Sequence, residues 1–299
     1  MSVNPIIKLL RPQQWIKNGF VVLPVVFGGR LTDGACLWSV VVTFVAYSLV
    51  ASAVYCFNDI VDCPSDRLHP VKCNRPIASG QVSRRLAYTL MAVLLVAATA
   101  VLLLMGYRWT GVAMVLALYF IMHAAYCLLL KRYAIIDVMV VAAGFVLRLF
   151  AGGMAAGVPL SRWIVLMTFL LTLFLALAKR RDDVLRTEST GRAVRHSVLR
   201  YNLSFVNQAM TITGTVMLVC YIMYTVSPEV IAATGCEYTY FTAVFVIAGL
   251  LRYMQITNVD NDSGDPTRIM LRDHFMQAVV GLWIVSHLII IYVLPNIRS

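Results

Sequence analysis

The sequence changes from apolar to charged at Tyr55-Cys56-Phe57-Asn58-Asp59-Ile60-Val61-Asp62-Cys63-Pro64-Ser65-Asp66-Arg67, where an apolar run over residues 35–57 ends. Three carboxylates at i, i+3 and i+7 would lie on one face of a helix. Like charges at this spacing repel each other, so the arrangement becomes favourable only with a cation between them. Because Pro64 disfavours helix at the residue before it, we expect Asp59, Asp62 and Asp66 to straddle a helix end.

The composition predicts a membrane protein. Of the 299 residues, 60% are hydrophobic and 13% are charged, whereas about 25% of the residues of a soluble domain are charged. We predict an all-α polytopic bundle, a single transmembrane domain over residues 1–299, with about nine spans of about 20 residues each. These spans cover residues 14–30, 35–57, 86–105, 109–130, 134–156, 161–179, 203–226, 239–257 and 275–295. Pro24 and the nearby glycines make the first span the weakest.

The positive charges predict the orientation of these spans. With the N-terminus inside, 20 of the 25 Lys and Arg residues fall on the inner side of the membrane. Cytoplasmic loops carry the excess of Lys and Arg, so the polar segments at about 58–85, 179–202 and 258–273 are predicted to form a cytoplasmic cap. The seven cysteines are scattered without a C-x-x-C pair, which indicates neither a disulfide framework nor a zinc site.

The segment after the second span has the composition of a metal–diphosphate site. Mg²⁺ takes one or two protein carboxylates and fills its other positions with water and phosphate oxygens. Arg67, Lys72 and Arg75 follow the carboxylates in the same segment, and their side chains suit phosphate oxygens. We therefore predict that Mg²⁺ binds to Asp59, Asp62 and Asp66, and that the cations after them hold a phosphorylated substrate.

Other charged residues stand at predicted span ends or inside a span. Arg148 lies near the middle of the fifth span, where a charge costs at least ~3 kcal/mol, so we expect it to contact a phosphate or to pair with a carboxylate such as Asp137. Further candidates for substrate contacts are Lys17, Tyr126, Lys131, Arg132, Lys179, Arg180, Asp182, Asp183 and Arg252. The alternatives are a positive-inside anchor at Lys131 and a solvated charge run from Lys179 onward.

Several of these patterns resemble a known family. Asn58-Asp59-x-x-Asp62-x-x-x-Asp66 after the second span is similar to the motif of the UbiA superfamily of intramembrane prenyltransferases. The similarity extends to one branch, the decaprenyl-phosphate phosphoribosyltransferases. It is carried by Arg11-Pro-Gln-Gln-Trp15-Ile-Lys17-Asn18, His69-Pro-Val-Lys72-Cys-Asn-Arg75-Pro76-Ile-Ala-Ser-Gly80, Lys131-Arg132, Leu147-Arg148, Gly264-Asp-Pro-Thr and Leu271-Arg272-Asp273. The resemblance implies a UbiA-like bundle in a bacterial cytoplasmic membrane, with its active site facing the cytoplasm.

The second acidic motif of the superfamily departs from its usual form. Aromatic prenyltransferases carry D-x-x-x-D after the sixth span, whereas this sequence reads Lys179-Arg-Arg-Asp182-Asp183-Val-Leu-Arg186. One acidic and one largely basic motif fit two phosphorylated substrates, which by resemblance are phosphoribosyl diphosphate and a polyprenyl phosphate. The implied reaction is Mg²⁺-dependent transfer of a 5-phosphoribosyl group onto the lipid phosphate with release of diphosphate. Asn58 would orient an aspartate or contact the ribose, and no nucleic-acid partner is predicted.

Two other functions are weighed against this interpretation. An aromatic or quinone prenyltransferase would use an isoprenyl diphosphate, and the missing second acidic motif counts against it. A transporter would line its path with intramembrane Arg148 and Asp137. Transporters, however, bind substrates near the bilayer midplane, whereas we expect the carboxylates at 58–66 and the charges at 179–183 to meet at the inner edge of the bundle.

Overall fold

The computed structural model of the protein describes residues 4–69, 71–190, 196–260 and 266–294. Within these ranges every regular element is a helix. Eight helices, three of them with a 3₁₀ or π extension, are long and apolar enough to cross a membrane. We number them α1 (Gly34–Asp66), α2 (Arg84–Leu102), α3 (Trp109–Leu128), α4 (Ile136–Ala156), α5 (Arg162–Thr190), α6 (Leu203–Thr225), α7 (Ala243–Asn258) and α8 (His274–Leu288).

Shorter elements connect or extend these helices. Short α-helices cover Pro5–Leu10, Leu23–Phe27, Pro228–Thr234 and Pro266–Arg272. The 3₁₀ helices are Pro12–Val21, Lys72–Asn74, Leu103–Arg108, Leu130–Arg132, His196–Arg200 and Glu237–Thr242, and Ile289–Val293 is a π-helical extension of α8.

The predicted all-α polytopic fold is confirmed, with eight spanning helices in the described ranges where we predicted about nine. The first predicted span, residues 14–30, is no continuous helix. It consists of the 3₁₀ helix Pro12–Val21 and the five-residue helix Leu23–Phe27. Pro24 lies in the first turn of the second piece, where its missing amide hydrogen is tolerated, whereas inside one long helix it would remove a backbone hydrogen bond.

Two of the long helices continue into segments that we predicted as polar loops. α1 runs through the three carboxylates to Asp66, so they share one helix and do not straddle its end. Pro64 lies in the last turn, where the loss of one amide donor is followed by the end of the helix. α5 likewise continues to Thr190, so the charged run from Lys179 is helical.

The chain folds as two compact units. The first contains the residues up to Lys131 together with Ala143–Leu160, and the second contains Arg132–Ala142 together with the residues from Ser161 onward. In the first unit α1 is the central helix and packs against α2 and α3. Its buried side chains include Ala46, Tyr47 and Val50, in keeping with the nearly uninterrupted apolar sequence of this helix.

A smaller core lies beneath the segment that joins α1 to α2. It contains Leu9 from the first short helix, Ile60 and Cys63 from α1, and Ile77 and Val82 from the joining segment. Burial of such side chains stabilises a structure by about 1.5–3 kcal/mol each. This core therefore fixes both the N-terminal helix and the joining segment against the charged end of α1.

The second unit has its own core, built from α5, α6, α7 and α8. Its most buried side chains include Phe174, Val206 and Met210, and Tyr253 and Met276 are also buried in it. Aspartate side chains cap helix N-termini in both units. Asp33 is the N-cap residue of α1, and Asp273 is the N-cap residue of α8. Asp273 caps α8 by accepting a hydrogen bond from the backbone amide of Met276, the usual role of an aspartate at this position.

Candidate active site

The carboxylates of α1 contact two arginines that come from different parts of the first unit. Oδ1 of Asp59 accepts hydrogen bonds from Nη2 of Arg11 at 2.7 Å and from Nη1 of Arg75 at 3.2 Å. The same Nη1 of Arg75 donates to Oδ2 of Asp66 at 2.7 Å. Asp59 and Asp66 are only 1% and 4% exposed, so these charge-assisted contacts are shielded from water and are stronger than their counterparts on the surface.

The third carboxylate is paired as well. Nζ of Lys131, which follows α3, forms an ion pair with Oδ1 of Asp62. Lys131 therefore belongs to the same group of charges, which has three carboxylates and three cations. We call this group the carboxylate cluster; its members are Asp59, Asp62, Asp66, Arg11, Arg75 and Lys131.

Asn58 lies at the edge of the carboxylate cluster. Its Nδ2 donates to Oδ1 of Asp59 at 3.4 Å, and its Oδ1 accepts from Sγ of Cys127 at 3.3 Å. The first of these contacts is long for an N–H···O hydrogen bond and therefore weak, whereas 3.3 Å is an ordinary distance for a hydrogen bond from sulfur. The predicted role of Asn58 in orienting an aspartate or contacting the ribose stays a prediction.

One carboxylate oxygen of the cluster has no partner. Oδ2 of Asp59 is buried and accepts no hydrogen bond from any described residue. A buried acceptor without a partner costs about 1–3 kcal/mol, and such an atom calls for an explanation. A hard cation or a substrate hydroxyl would satisfy it. In the described part of the chain, however, no three His, Cys, Asp or Glu side chains converge as a ready-made metal site.

Arg75 reaches the cluster because its segment is held in place on both sides. Nε of Arg67 donates to the carbonyl oxygen of Ala78 at 3.3 Å. Nδ1 of His69 accepts from the backbone amides of Val71 and Lys72 at 3.2 and 3.3 Å. Burial and the charge of Lys72 lower the pKa of His69, which keeps the ring neutral and able to accept these bonds at physiological pH.

The second unit contains a separate buried network around Asp137. This residue is fully buried; its Oδ2 accepts from Nε of Arg180 at 2.7 Å and from Oγ of Ser197 at 3.0 Å. Its Oδ1 accepts from the hydroxyl of Tyr201 at 2.8 Å, and that hydroxyl accepts from the amide of Ile135 at 2.6 Å. Ile135 has φ +70°, a left-handed conformation that a β-branched residue rarely adopts.

The carboxylates of the predicted second motif are engaged with arginines. Asp183 pairs with Arg180, and both are buried. Oδ2 of Asp182 lies 2.8 Å from Nε of Arg186. Lys179 is exposed. Arg180 and Asp183 are thus paired within this buried network, whereas Lys179 is exposed. The substrate contacts predicted for these residues stay predictions.

The other predicted site residues differ in their exposure to solvent. Arg132 is exposed, and Lys17, Lys72 and Tyr126 are half-buried. Nη2 of Arg252 lies 2.7 Å from Oδ2 of Asp273. The predicted motif at Gly264-Asp-Pro-Thr begins outside the described residues. The expected meeting of the 58–66 and 179–183 charges stays a prediction.

Arg148 is buried within the first unit, and its hydrogen-bond partners are neutral. Its Nε donates to Oδ1 of Asn18 at 2.8 Å, its Nη1 to the carbonyl oxygen of Gly144 at 2.8 Å, and its Nη2 to the hydroxyl of Tyr119 at 3.1 Å. The guanidinium also lies 4.9 Å from the ring centroid of Tyr47. The carboxylate partner suggested by its sequence, Asp137, pairs instead with Arg180.

Arg11 is the residue of the cluster that our sequence analysis did not select. Its distance from Asp59 along the chain gives no hint of contact, and we had assigned the neighbouring Lys17 to the site. Arg11 separates the first two helices and has φ +51°, a left-handed conformation and not the extended one that a following proline favours. No local signal in the sequence therefore pointed to its contact with Asp59.

The helical fold and the carboxylate motif can be compared with known proteins. The family model for the UbiA prenyltransferase family matches residues 19–288. The chain belongs to the UbiA prenyltransferase family. Together with its eight apolar helices, this membership makes it an integral, multi-pass membrane protein and an enzyme of the prenyltransferase or phosphoribosyltransferase type.

Relatives in this family include named enzymes and solved structures. The chain is 35% identical over 293 residues to decaprenyl-phosphate phosphoribosyltransferase of Mycolicibacterium smegmatis, covering 94% of this chain and 91% of the relative. It is 33% identical to the enzyme of the same name from Corynebacterium glutamicum, covering 97% and 87%. A UbiA homologue from Archaeoglobus fulgidus bound to DMAPP and Mg²⁺ has a TM-score of 0.70 and 18% identity, covering 96% of this chain and 99% of that one.

Proposed function

We propose that the protein transfers the 5-phosphoribosyl group of phosphoribosyl diphosphate to a polyprenyl phosphate of the decaprenyl type. The carboxylate cluster is the observation that carries this proposal, because it combines acidic groups suited to a metal with basic groups suited to phosphate. Relatives that share about a third of its residues along nearly the whole chain bear the name of this activity. The active site would face the cytoplasm of a bacterial cell.

The residues of the cluster fit a divalent cation. Asp59, Asp62 and Asp66 supply the hard oxygen ligands that Mg²⁺ prefers, and Oδ2 of Asp59 is a buried acceptor without a hydrogen-bond partner. These three aspartates would hold the ion through their carboxylates. When bound, Mg²⁺ would neutralise negative charge on the diphosphate leaving group.

The cations of the cluster would bind the phosphorylated donor. Arg75 and Arg11 present planar guanidinium groups that can contact two phosphate oxygens at once. Lys131 adds a compact charge from the end of α3. We assign the donor diphosphate to these three residues, with Lys72 and Arg67 close by in the chain for the 5-phosphate, and Asn58 for the ribose.

The reaction needs no strong general base from the protein. An oxygen of the polyprenyl phosphate, already anionic at pH 7, attacks the anomeric carbon of the ribose. A new C–O bond forms there as the bond to the diphosphate breaks, and the diphosphate leaves with that electron pair. The protein's part is to hold the two anions in line and to stabilise the charge that develops on the leaving group.

The basic second motif supports a phosphate acceptor over an aromatic one. Asp182 and Asp183 are both paired with arginines of the same motif, so the motif as a whole is not acidic. Lys179 of the same motif is exposed. We assign the acceptor phosphate to Lys179 with contributions from Arg132 and Arg252, and the prenyl chain to the lipid-facing surface of the bundle.

Labelled substrates test the proposal directly. Membranes containing the protein are incubated with Mg²⁺, polyprenyl phosphate and phosphoribosyl diphosphate carrying ¹⁴C in the ribose, and the lipid phase is extracted. We expect label in the organic phase only when both substrates are present. The Lys131→Gln variant provides a comparison in which protein is present but donor binding is weakened.

Two results would refute the proposal. Transfer of an isoprenyl group to an uncharged aromatic acceptor, with no incorporation of ribose label, would show a prenyltransferase of the aromatic type. Movement of labelled donor into sealed vesicles without any labelled lipid would show a transporter.

A further inference from the structure

The N-terminal segment lies against α1 as a strap. We use this term for residues 5–21, which comprise Pro5–Leu10, Arg11 and Pro12–Val21. Nε1 of Trp15 donates to Oγ of Ser52 at 3.0 Å, and that Oγ donates to the carbonyl oxygen of Leu10 at 2.8 Å. Ser48, Ser52 and Asp59 share one face of α1 because they are spaced by four and seven residues.

The strap runs antiparallel to α1. Arg11 contacts Asp59, Trp15 contacts Ser52, and further along the strap Nδ2 of Asn18 donates to Oγ of Ser48 at 2.9 Å. As the residue number rises along the strap, the residue number of its contact partner in α1 falls. The contact between Arg11 and Asp59 is the last in this series, so its position depends on the register of the others.

At the other end of this series of contacts, Arg148 hydrogen-bonds to Asn18 of the strap. Asn18 is fully buried, and its Oδ1 accepts from Nε of Arg148. No described carboxylate lies within ion-pair distance of Arg148. A buried charge is expensive unless its donors are satisfied, and Asn18 supplies one of the required acceptors. Moving the strap by one residue would leave both side chains without this partner.

A close backbone contact fixes the strap one turn further along α4. A methyl group added to Gly152 would overlap the carbonyl oxygen of Val21 and would lie 2.8 Å from its carbonyl carbon. Only glycine allows this approach. Arg148 and Gly152 are four residues apart, so the same face of α4 holds the strap at two points.

We infer that Asn18, Arg148 and Gly152 are positioning residues that set the register of the strap and thereby hold Arg11 against Asp59. The intramembrane Arg148 acts on the site through Asn18 and the strap, and it makes no contact with substrate. This inference rests on the proposed function only in assigning Arg11 to the donor diphosphate.

The test combines binding, exchange and kinetics in the purified full-length protein. Asn18→Leu removes both hydrogen bonds of the amide, whereas Asn18→Asp keeps an acceptor for Arg148. We expect Asn18→Leu to raise the KM for phosphoribosyl diphosphate and the Kd for inorganic diphosphate with Mg²⁺ about tenfold, with kcat changed less, as for loss of a charged hydrogen bond. Asn18→Asp should recover most of this loss.

Coupling distinguishes positioning from general destabilisation. If the strap acts through Arg11, Asn18→Leu adds little to the effect of Arg11→Gln when the two are combined. Hydrogen–deuterium exchange of the amides at 5–21 should rise in Asn18→Leu and Arg148→Met, while exchange in α6 stays unchanged. Multiplicative effects in the double variant, or unchanged exchange in the strap, would overturn the inference.

A matched pair of glycine variants tests the contact with α4. Gly152→Ala should increase hydrogen–deuterium exchange of the strap amides and raise the Kd for diphosphate. Gly281→Ala on α8 adds the same methyl where nothing lies within 4 Å, and it should leave both unchanged. Equal behaviour of the two variants would contradict the role of Gly152. Because diphosphate binding and exchange need no ribose transfer, they decide the inference even if the proposed donor is wrong.

Discussion

Nη1 of Arg75 lies 2.7 Å from Oδ2 of Asp66, with the carboxylate almost fully buried. The same nitrogen also reaches Asp59, so one guanidinium stands between two of the three predicted metal ligands. A divalent cation bound there as proposed would therefore compete with Arg75 for these carboxylates, while a diphosphate would attract both. Binding of the metal and of the donor should accordingly be coupled.

Replacing Arg75 should move metal affinity and donor affinity in opposite directions. In Arg75→Gln the carboxylates lose a competing cation, so Mn²⁺ should bind the protein alone about tenfold more tightly, a difference of about 1.4 kcal/mol. The Kd for diphosphate should rise, because a phosphate contact is lost. Electron paramagnetic resonance of free Mn²⁺ and diphosphate titrations measure the two quantities.

Arg75→Lys serves as the control for this experiment, because it keeps the charge but cannot bridge two carboxylates in the same way. It should fall between the wild type and Arg75→Gln in both measurements. A loss of Mn²⁺ affinity in Arg75→Gln would contradict competition for the carboxylates.

Substitution of the α1 carboxylates should abolish the metal-dependent activity. Asp59→Asn or Asp66→Asn should lower kcat on the order of 100-fold or more, since charge on the leaving group is no longer neutralised. Chelation by EDTA should abolish activity of the wild type, and added Mg²⁺ should restore it. Asp260→Asn, an exposed aspartate after α7, controls for loss of one negative charge. Near-normal turnover in both α1 variants would remove the metal role.

The network around Asp137 should affect stability more than substrate binding. Asp137→Asn leaves the buried Arg180 with Asp183 as its carboxylate partner, and breaking such a buried pair costs about 3–5 kcal/mol. Thermal unfolding in detergent should show a Tm several degrees lower. Lys179→Ala, in contrast, should leave Tm unchanged and raise the KM for polyprenyl phosphate. The reverse pattern would place Asp137 in the substrate site.

The ion pair between Arg252 and Asp273 should contribute to stability in a pH-dependent way. The hydrogen bond from Arg252 lowers the pKa of Asp273 below its ordinary value of 3.8. Its contribution is therefore present above pH 3.8 and is lost as the pH falls below that value. Asp273→Asn keeps the helix cap and removes the charge, so its small decrease in Tm at pH 7 should shrink as the pH is lowered below 3.8. A constant difference across this range would exclude the ionic origin.

The sequence was sufficient to predict eight of the spans and the shared helical face of three carboxylates, whose role in a site stays a prediction. Apolar runs of about 20 residues are a strong signal, and the spacing of Asp59, Asp62 and Asp66 indicates a shared helical face. Lys131 and Arg75 were selected as candidates for substrate contacts, which stay predictions, and the structure places both against these carboxylates.

Contacts between distant parts of the chain were harder to predict. Arg11 reaches Asp59 only because the strap folds back along α1, and no local pattern specifies that register. Arg180 looked like a ligand for phosphate in a charged run, yet its burial beside Asp137 depends on how α5 packs in its unit. Local periodicity identifies the face of a helix but not the partner that covers it.

Substitution of Ile135 should raise the thermal stability of the enzyme. The left-handed backbone conformation of Ile135 is unfavourable for a β-branched residue by roughly 1–2 kcal/mol. Because the side chain is exposed, packing contacts compensate little for this conformational cost. Its amide is needed for Tyr201, and glycine or asparagine would retain that amide at a lower conformational penalty. A library screened for heat tolerance should thus enrich those two codons at position 135, giving a preparation better suited to crystallisation and inhibitor screening.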